Sequence, residues 1–146
     1  MILVDTNILM RMSDDADKHY KTTHGAVAGC WRRGQRLFVS NQSLQEFWVT
    51  ATRPIKKNGL GFSFLQADRF IQHFLRTFIR LADPPALFEE WRTLVYKHQI
   101  TGIHAYDARL AAWVKAEGLA GLMTYNIADF TMFGIKLVDP RDPITW

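Results

Sequence analysis

Short, mainly apolar segments alternate along this chain with longer segments in which apolar residues recur at helical spacing. Such apolar segments are typical of strands buried on both faces of a parallel sheet, and they comprise residues 1–4, 37–39, 80–82, 121–124 and 135–138. Helical periodicity covers about 16–33, 40–52, 63–78, a segment opened by Pro84 and Pro85, and 104–117. The alternation predicts an α/β fold in which helices cover both faces of a parallel sheet.

Length and composition favour one ordinary globular domain. The chain has 146 residues, 48% hydrophobic and 22% charged, so we expect residues 1–146 to form a single domain. No segment has the ~20 apolar residues of a membrane span, and Asp5 interrupts the first apolar residues before a signal peptide can form. The single cysteine, Cys30, fits a reducing compartment. We therefore expect a cytoplasmic protein without a membrane partner.

The charge balance is compatible with a polyanionic ligand. Eighteen Lys and Arg residues against 14 Asp and Glu residues give a formal net charge of +4. If four acids gather in one site, the remaining ten leave the rest of the molecule at +8. A basic surface around an acidic pocket suits a nucleic acid held beside cations. A plain basic surface without that role is the alternative.

Carboxylates follow three of the predicted strands. Asp5 comes directly after the first strand, and Glu46 lies in the first turns of the helix after the second. Asp129 follows the strand that ends near Thr124, with Asn126 between them. Ligands of open parallel sheets bind outside the carboxyl ends of the strands. We therefore expect these acids to share one edge of the sheet.

A fourth acid, Asp107, interrupts the apolar side of a predicted helix. It falls on the stripe formed by Ile103, Leu110, Ala111 and Val114. A buried, unpaired carboxylate costs several kcal/mol, so it must be paired, protonated or bound to a cation. Arg109 points about 200° away around the helix and is a poor neutraliser. The pattern thus predicts that something other than Arg109 balances the charge of Asp107.

Each acid also has a purely structural interpretation. Asp5 is a suitable N-cap, and Glu46 occupies the third position of a capping box opened by Ser43. Asp129 is a candidate turn cap, and Asp107 is a candidate member of an ion pair. If the four acids instead cluster, their oxygens suit Mg²⁺ or Mn²⁺. Such ions assist the attack of water on a phosphodiester.

Four segments carry these acids in a recognisable order, namely Ile2–Ile8, Leu44–Phe47, Tyr106–Ala112 and Thr124–Phe130. They resemble the motifs of the PIN domain, and most closely the VapC-type toxin ribonuclease of type II toxin–antitoxin pairs. The resemblance spans essentially the whole chain. It implies a PIN-like nuclease domain over residues 1–146 and a Mg²⁺- or Mn²⁺-dependent endoribonuclease that hydrolyses RNA.

The resemblance also implies roles for individual residues. The catalytic acids are expected to be Asp5, Glu46, Asp107 and Asp129, of which Asp5, Asp107 and Asp129 bind the metal ion. Thr6 and Asn7 are expected to support Asp5, and Thr124 or Asn126 to orient a water. Other family members have an acid at the position of Asn126, which makes that position the alternative to Asp129 for completing the site.

Partners follow from the same resemblance. VapC-type toxins imply a cognate antitoxin protein and a homodimer. An aromatic stripe is a candidate for either contact, with core packing as the favoured alternative; it comprises Phe64, Phe70, Phe74 and Phe78. The competing function is a non-catalytic PIN-like module that binds RNA or an antitoxin.

Overall fold

The computed structural model describes residues 1–146 and contains a five-stranded, wholly parallel sheet. The strands are β1 (Ile2–Val4), β2 (Leu37–Val39), β3 (Ile79–Arg80), β4 (Gly121–Met123) and β5 (Leu137–Val138). They lie in the order β3-β2-β1-β4-β5. The chain therefore builds outward from β1 in one direction and then returns to its other side. The carboxyl ends of β1 and β4 flank the point where the direction reverses, which is where parallel sheets bind ligands.

Seven α-helices surround the sheet. They are α1 (Thr6–Ser13), α2 (Tyr20–Arg32), α3 (Asn41–Thr52), α4 (Phe64–Thr77), α5 (Leu87–His98), α6 (His104–Ala116) and α7 (Ile127–Phe130). Short 3₁₀ helices cover Ile55–Lys57 and Thr131–Phe133. None of the helices has the length and apolarity needed to cross a membrane.

The alternation of side chains along β1 assigns the helices to the two faces of the sheet. Ile2 and Val4 pack with residues of α1, α2, α3 and α4. Leu3 points to the opposite face and packs with residues of α5, α6 and α7. The predicted α/β architecture with helices on both faces is therefore confirmed.

Helix α1 is the main element that the sequence patterns missed. The predicted second element began near residue 16, whereas the structure has α1 over Thr6–Ser13 and begins α2 only at Tyr20. Ile8, Leu9 and Met12 of α1 are buried against the sheet. Their stripe spans two turns, which is too short to stand out as a period. The edge strands are also shorter than predicted, and both residues of β3 are exposed.

Candidate active site

Asp5 and Thr124 lie side by side because their strands are in register. Val4 pairs with Met123 across β1 and β4, so the next residue of each strand emerges at the same edge. Thr124 Oγ1 donates a 2.6 Å hydrogen bond to Asp5 Oδ2, and Asn7 Nδ2 donates to the same oxygen at 2.7 Å. Both side-chain donors bind Oδ2, which leaves Oδ1 of Asp5 without one.

The hydroxyl of Thr124 has no remaining hydrogen-bonding capacity. It donates to Asp5 and accepts from Asn7 Nδ2 and from the backbone N–H of Asn126, both at 3.0 Å. One donor and two acceptor positions are all that a hydroxyl offers. The contacts of the Thr124 hydroxyl therefore hold Asp5, which leaves Asn126 as the other residue expected to orient a water. The side chain of Asn126 is exposed at the start of α7.

Asp5 is a buried carboxylate with a perturbed acidity. Its exposed fraction is 6%. Its pKa is raised to about 6, chiefly by burial; the hydrogen bond from Thr124 opposes this rise, and the negative charges of Glu46 and Asp107 add to it. A carboxyl whose neighbours are other carboxyls is stabilised by a bound cation.

Glu46 lies in the second turn of α3, whereas a capping box would place it in the first turn. Ser40 caps α3 by accepting from the backbone N–H of Ser43 at 3.0 Å, so that interpretation is wrong. Glu46 Oε2 instead accepts a 2.7 Å bond from Thr6 Oγ1. The side chain of Thr6 thus contacts Glu46, whereas the side chain of Asn7 contacts Asp5.

Asp107 lies in the first turn of α6, with 27% of its side chain exposed. The buried stripe predicted around it is wrong at this end, because Ile103 is 75% exposed. Burial raises the pKa of Asp107; the adjacent His104, whose Nδ1 is 3.3 Å from Oδ2, lowers it, and the charges of Asp129 and Glu46 raise it. Arg109 contacts Asp83 instead, so it does not neutralise Asp107.

Asp129 reaches the same site from α7. It is half-buried in the first turn of that helix, and its carboxylate accepts no hydrogen bond from the protein. The turn-cap interpretation is therefore not supported. Its negative charge acts on Asp107, whereas the carboxylates that act on Asp5 are Glu46 and Asp107. Asp107 thus interacts electrostatically with both Asp5 and Asp129.

Gln42 joins the site although nothing in the sequence patterns singled it out. Its Nε2 donates to Glu46 Oε1 at 2.8 Å and to the backbone oxygen of Tyr106 at 3.0 Å. Its Oε1 accepts from Arg109 Nη1 at 2.8 Å. The side chain is buried. The available signal was its spacing, since Gln42 precedes Glu46 by four residues and so shares its helix face.

The acids fit an ion that retains much of its water. No three His, Cys, Asp or Glu side chains stand close enough together to enclose an ion by themselves. Mg²⁺ does not require such a cage, because it is usually held by one or two carboxylates and keeps several waters. Asp5, which has an oxygen without a side-chain donor, and partly exposed Asp107 are the two carboxylates that would form such a donor set.

Two clefts flank the acids. One, of about 530 Å³, lies between α3 and α6 and is lined by Thr6, Gln42, Gln45, Glu46, Val49, Thr50, Arg53 and Tyr106. The other, of about 240 Å³, includes His104 and Asp129 in its lining. A third pocket of about 340 Å³, more apolar in its lining, contains Phe88 and Trp91 but none of the four acids. Glu46 therefore lines the first cleft and Asp129 lines the second.

Comparisons with known proteins identify the fold. No protein-family model and no curated protein sequence matches the chain. Among solved structures, it is similar to Mycobacterium tuberculosis VapC20, a sarcin–ricin loop cleaving toxin, with 19% identity, a TM-score of 0.67 and coverage of 92% of this chain and 96% of that one.

Two VapBC structures are similar to the same extent. The Rickettsia felis VapBC2 structure, bound to a DNA fragment from its promoter, has 20% identity, a TM-score of 0.69 and coverage of 95% of this chain and 98% of that one. VapBC-1 from nontypeable Haemophilus influenzae has 19% identity, a TM-score of 0.69 and coverage of 97% and 100%. The chain therefore has the fold of the VapC and VapBC toxin–antitoxin structures, which confirms the fold that its resemblance to the VapC-type PIN domain predicted.

Proposed function

We propose that this chain is a Mg²⁺- or Mn²⁺-dependent endoribonuclease whose catalytic acids are Asp5, Glu46, Asp107 and Asp129. The supporting observation is electrostatic. The charges of Glu46 and Asp107 act unfavourably on Asp5, and those of Glu46 and Asp129 on Asp107. No Lys or Arg forms an ion pair with any of the four. A divalent ion is the ligand that relieves such repulsion.

The contacts of these residues support a different role for each of them. Asp5 and Asp107 are proposed to hold the ion. Asp129, in preference to Asn126, is proposed to add its negative charge to the site from α7, because Asp129 is the carboxylate that acts on Asp107. When bound, the ion supplies charge that polarises a phosphoryl oxygen and lowers the pKa of an attacking water. Thr124 and Asn7 fix the orientation of Asp5, and Thr6 and Gln42 fix Glu46.

Glu46 is the acid proposed to accept the proton of the attacking water. Both of its oxygens already accept hydrogen bonds from Thr6 and Gln42, which orient the carboxylate without neutralising it. It also lines the cleft between α3 and α6, where a polynucleotide has access. A base must lie within hydrogen-bonding reach of the proton that it removes, and this is the acid that the open cleft exposes.

RNA is the proposed substrate, and an antitoxin protein is the proposed partner. VapC20, which shares this fold, is a sarcin–ricin loop cleaving toxin, and another structure of the same fold is a toxin–antitoxin complex from Klebsiella pneumoniae. The net positive charge of the chain suits an RNA substrate. We also propose that the chain forms a homodimer, because its resemblance to VapC-type toxins implies one.

The test is cleavage of a mixed RNA pool by the purified protein with Mg²⁺, with Mn²⁺ or with EDTA. Asp5→Asn and Asp107→Asn are expected to lower the rate by about 100-fold or more, because each removes charge that the transition state requires. Asp68→Asn, an aspartate of α4 bound to Gln72, is the matched control and should cleave normally. Metal-independent cleavage, or full activity of both site variants, would contradict the proposal.

A further inference from the structure

The cleft between α3 and α6 is lined by exposed aromatic, apolar and basic side chains that are not among the proposed catalytic acids. On one wall, Tyr106 precedes Asp107 and is 60% exposed. On the other, Val49 adds exposed apolar surface, and Arg53 follows at the end of α3. We propose that this cleft is a nucleotide subsite, in which Tyr106 stacks on an unpaired base and Arg53 binds a neighbouring phosphate. The inference rests on the proposed ribonuclease function and names the form of its substrate.

The Tyr106 ring is available for stacking. It makes no close ring contact with another aromatic side chain, and no cation lies over it. More than half of the surface of Tyr106 is therefore not covered by packing. Stacking on such a ring is how proteins bind single-stranded nucleic acid without regard to sequence. The ring is therefore suited to an unpaired base next to the reacting phosphate.

Arg53 supplies the complementary charge. Its side chain is exposed and forms no ion pair or hydrogen bond within the protein. It follows Glu46 by seven residues, which places the two about 10 Å apart along the helix axis. Lys56 and Lys57 extend the positive charge along the next 3₁₀ helix. An RNA backbone that extends from the acids along this wall would thus contact basic side chains that form no ion pair with a protein carboxylate.

Gln42 fixes the Tyr106 wall relative to the acids. The same Nε2 atom donates to Glu46 Oε1 and to the backbone oxygen of Tyr106, which links α3 to α6 directly at the cleft. The side chain is only 6% exposed, and its oxygen is engaged by Arg109. Gln42 therefore links the backbone of Tyr106 directly to the carboxylate of Glu46.

The test measures binding without cleavage. All variants are made in an Asp5→Asn background, and the probe is a short fluorescein-labelled single-stranded RNA of mixed sequence, followed by fluorescence anisotropy. Tyr106→Leu is expected to weaken binding about tenfold, whereas Tyr106→Phe should stay within about twofold. Arg53→Ala should weaken binding and reduce the slope of log affinity against log salt by about 0.7, which is the value for one phosphate contact on a single strand.

A separate cleft on α5 provides a matched control, because Arg92 and Tyr96 line it and none of the four acids does. Tyr96→Leu and Arg92→Ala should leave affinity and salt slope unchanged. A fully paired RNA duplex should be insensitive to Tyr106→Leu, since its bases are not free to stack.

Three results would overturn the inference: no binding by the parent protein, equal affinity for Tyr106→Leu and Tyr96→Leu, or an unchanged salt slope for Arg53→Ala. Failure of the ribonuclease proposal looks different. In that case, binding depends on Tyr106 and Arg53, but the wild-type protein cleaves no RNA with either metal. Conversely, wild-type cleavage with an unchanged KM for Tyr106→Leu would remove the subsite and leave the nuclease.

Discussion

Asn7 and Thr124, separated by 117 residues in sequence, are joined by a 3.0 Å hydrogen bond, and both donate to the same oxygen of Asp5. Asn7 Oδ1 also accepts from the backbone N–H of Tyr125 at 3.2 Å. The network ties α1 to the end of β4 across the point where the sheet reverses direction. The orientation of Asp5 is therefore a consequence of strand register and of helix α1 together.

Replacing Thr124 by valine tests this network. Thr124→Val keeps the shape of the side chain but removes the donor to Asp5 and the acceptor for Asn7 and Asn126. Leaving buried polar groups unpaired costs about 1–3 kcal/mol each, so we expect the free energy of unfolding in urea to fall by about that amount. Thr131→Val is the control, because its hydroxyl binds the Ile127 carbonyl at an exposed position. An equal effect in both variants would contradict the role of Thr124.

The raised pKa of Asp5 predicts how stability depends on pH. Its value of about 6 lies above the ordinary 3.8, so the folded protein favours the protonated form. The contribution of Asp5 to the free energy of unfolding is therefore fully present below about pH 4 and is lost as the pH rises through about 6. A pKa difference of about two corresponds to roughly 3 kcal/mol.

Asp5→Asn removes this titration. In EDTA at neutral pH, the variant should therefore be more stable than the wild type by up to roughly 3 kcal/mol. At about pH 4 the two proteins should have nearly equal free energies of unfolding. A wild type whose stability does not fall between about pH 4 and pH 7 relative to Asp5→Asn would show that Asp5 is not buried among acids.

The buried amide of Gln42 is predicted to matter for both stability and activity. Gln42→Leu leaves the Tyr106 carbonyl and Glu46 without their donor, at a cost of about 1–3 kcal/mol. RNA cleavage should fall with it, because Glu46 loses its orientation. Gln42→Glu should be worse, since it places a second carboxylate beside Glu46. Gln72→Leu on α4, whose amide binds Asp68 at an exposed site, should change neither quantity.

Two glycines of α2 give opposite expectations for the same substitution. A Cβ on Gly25 would meet nothing within 4 Å, so Gly25→Ala should stabilise the helix by about 0.5–1 kcal/mol. A Cβ on Gly29 would overlap the Trp146 ring, which lies against Arg33 and whose Nε1 donates to the Asp139 carbonyl. Gly29→Ala should therefore destabilise the protein. Equal thermal stabilities of the two variants would contradict this placement of Trp146.

Much of the fold could be predicted because the three central strands are apolar throughout. The buried runs at residues 2–4, 37–39 and 121–123 stand out in the sequence and are the three central strands. The edge strands β3 and β5 are only two residues long, and β3 is exposed, so burial leaves little pattern there. Helix α1 was missed because two turns offer too few repeats of the helical period.

The acids of the site could be predicted from the sequence, but the residues that they contact could not. Asp5 was predictable from its position at the end of a strand, because the ends of parallel strands share one edge. The partners of Glu46 were not, because the helix begins at Asn41, with Ser40 as its cap, and the pattern at Ser43 suggested a different start. The exposure of Ile103 likewise depends on where α6 begins, and helix ends are poorly marked in sequence. Gln42 depends on an α3–α6 contact that no local pattern encodes.

A cation site formed by these acids is tested most directly by the affinity for Mn²⁺, measured by titration calorimetry on the wild type, Asp5→Asn, Asp107→Asn and the control Asp68→Asn. We expect the wild type and Asp68→Asn to bind the ion alike. Asp5→Asn and Asp107→Asn should bind it about tenfold more weakly or worse. Equal Mn²⁺ affinity in all four proteins would contradict a cation site formed by these acids.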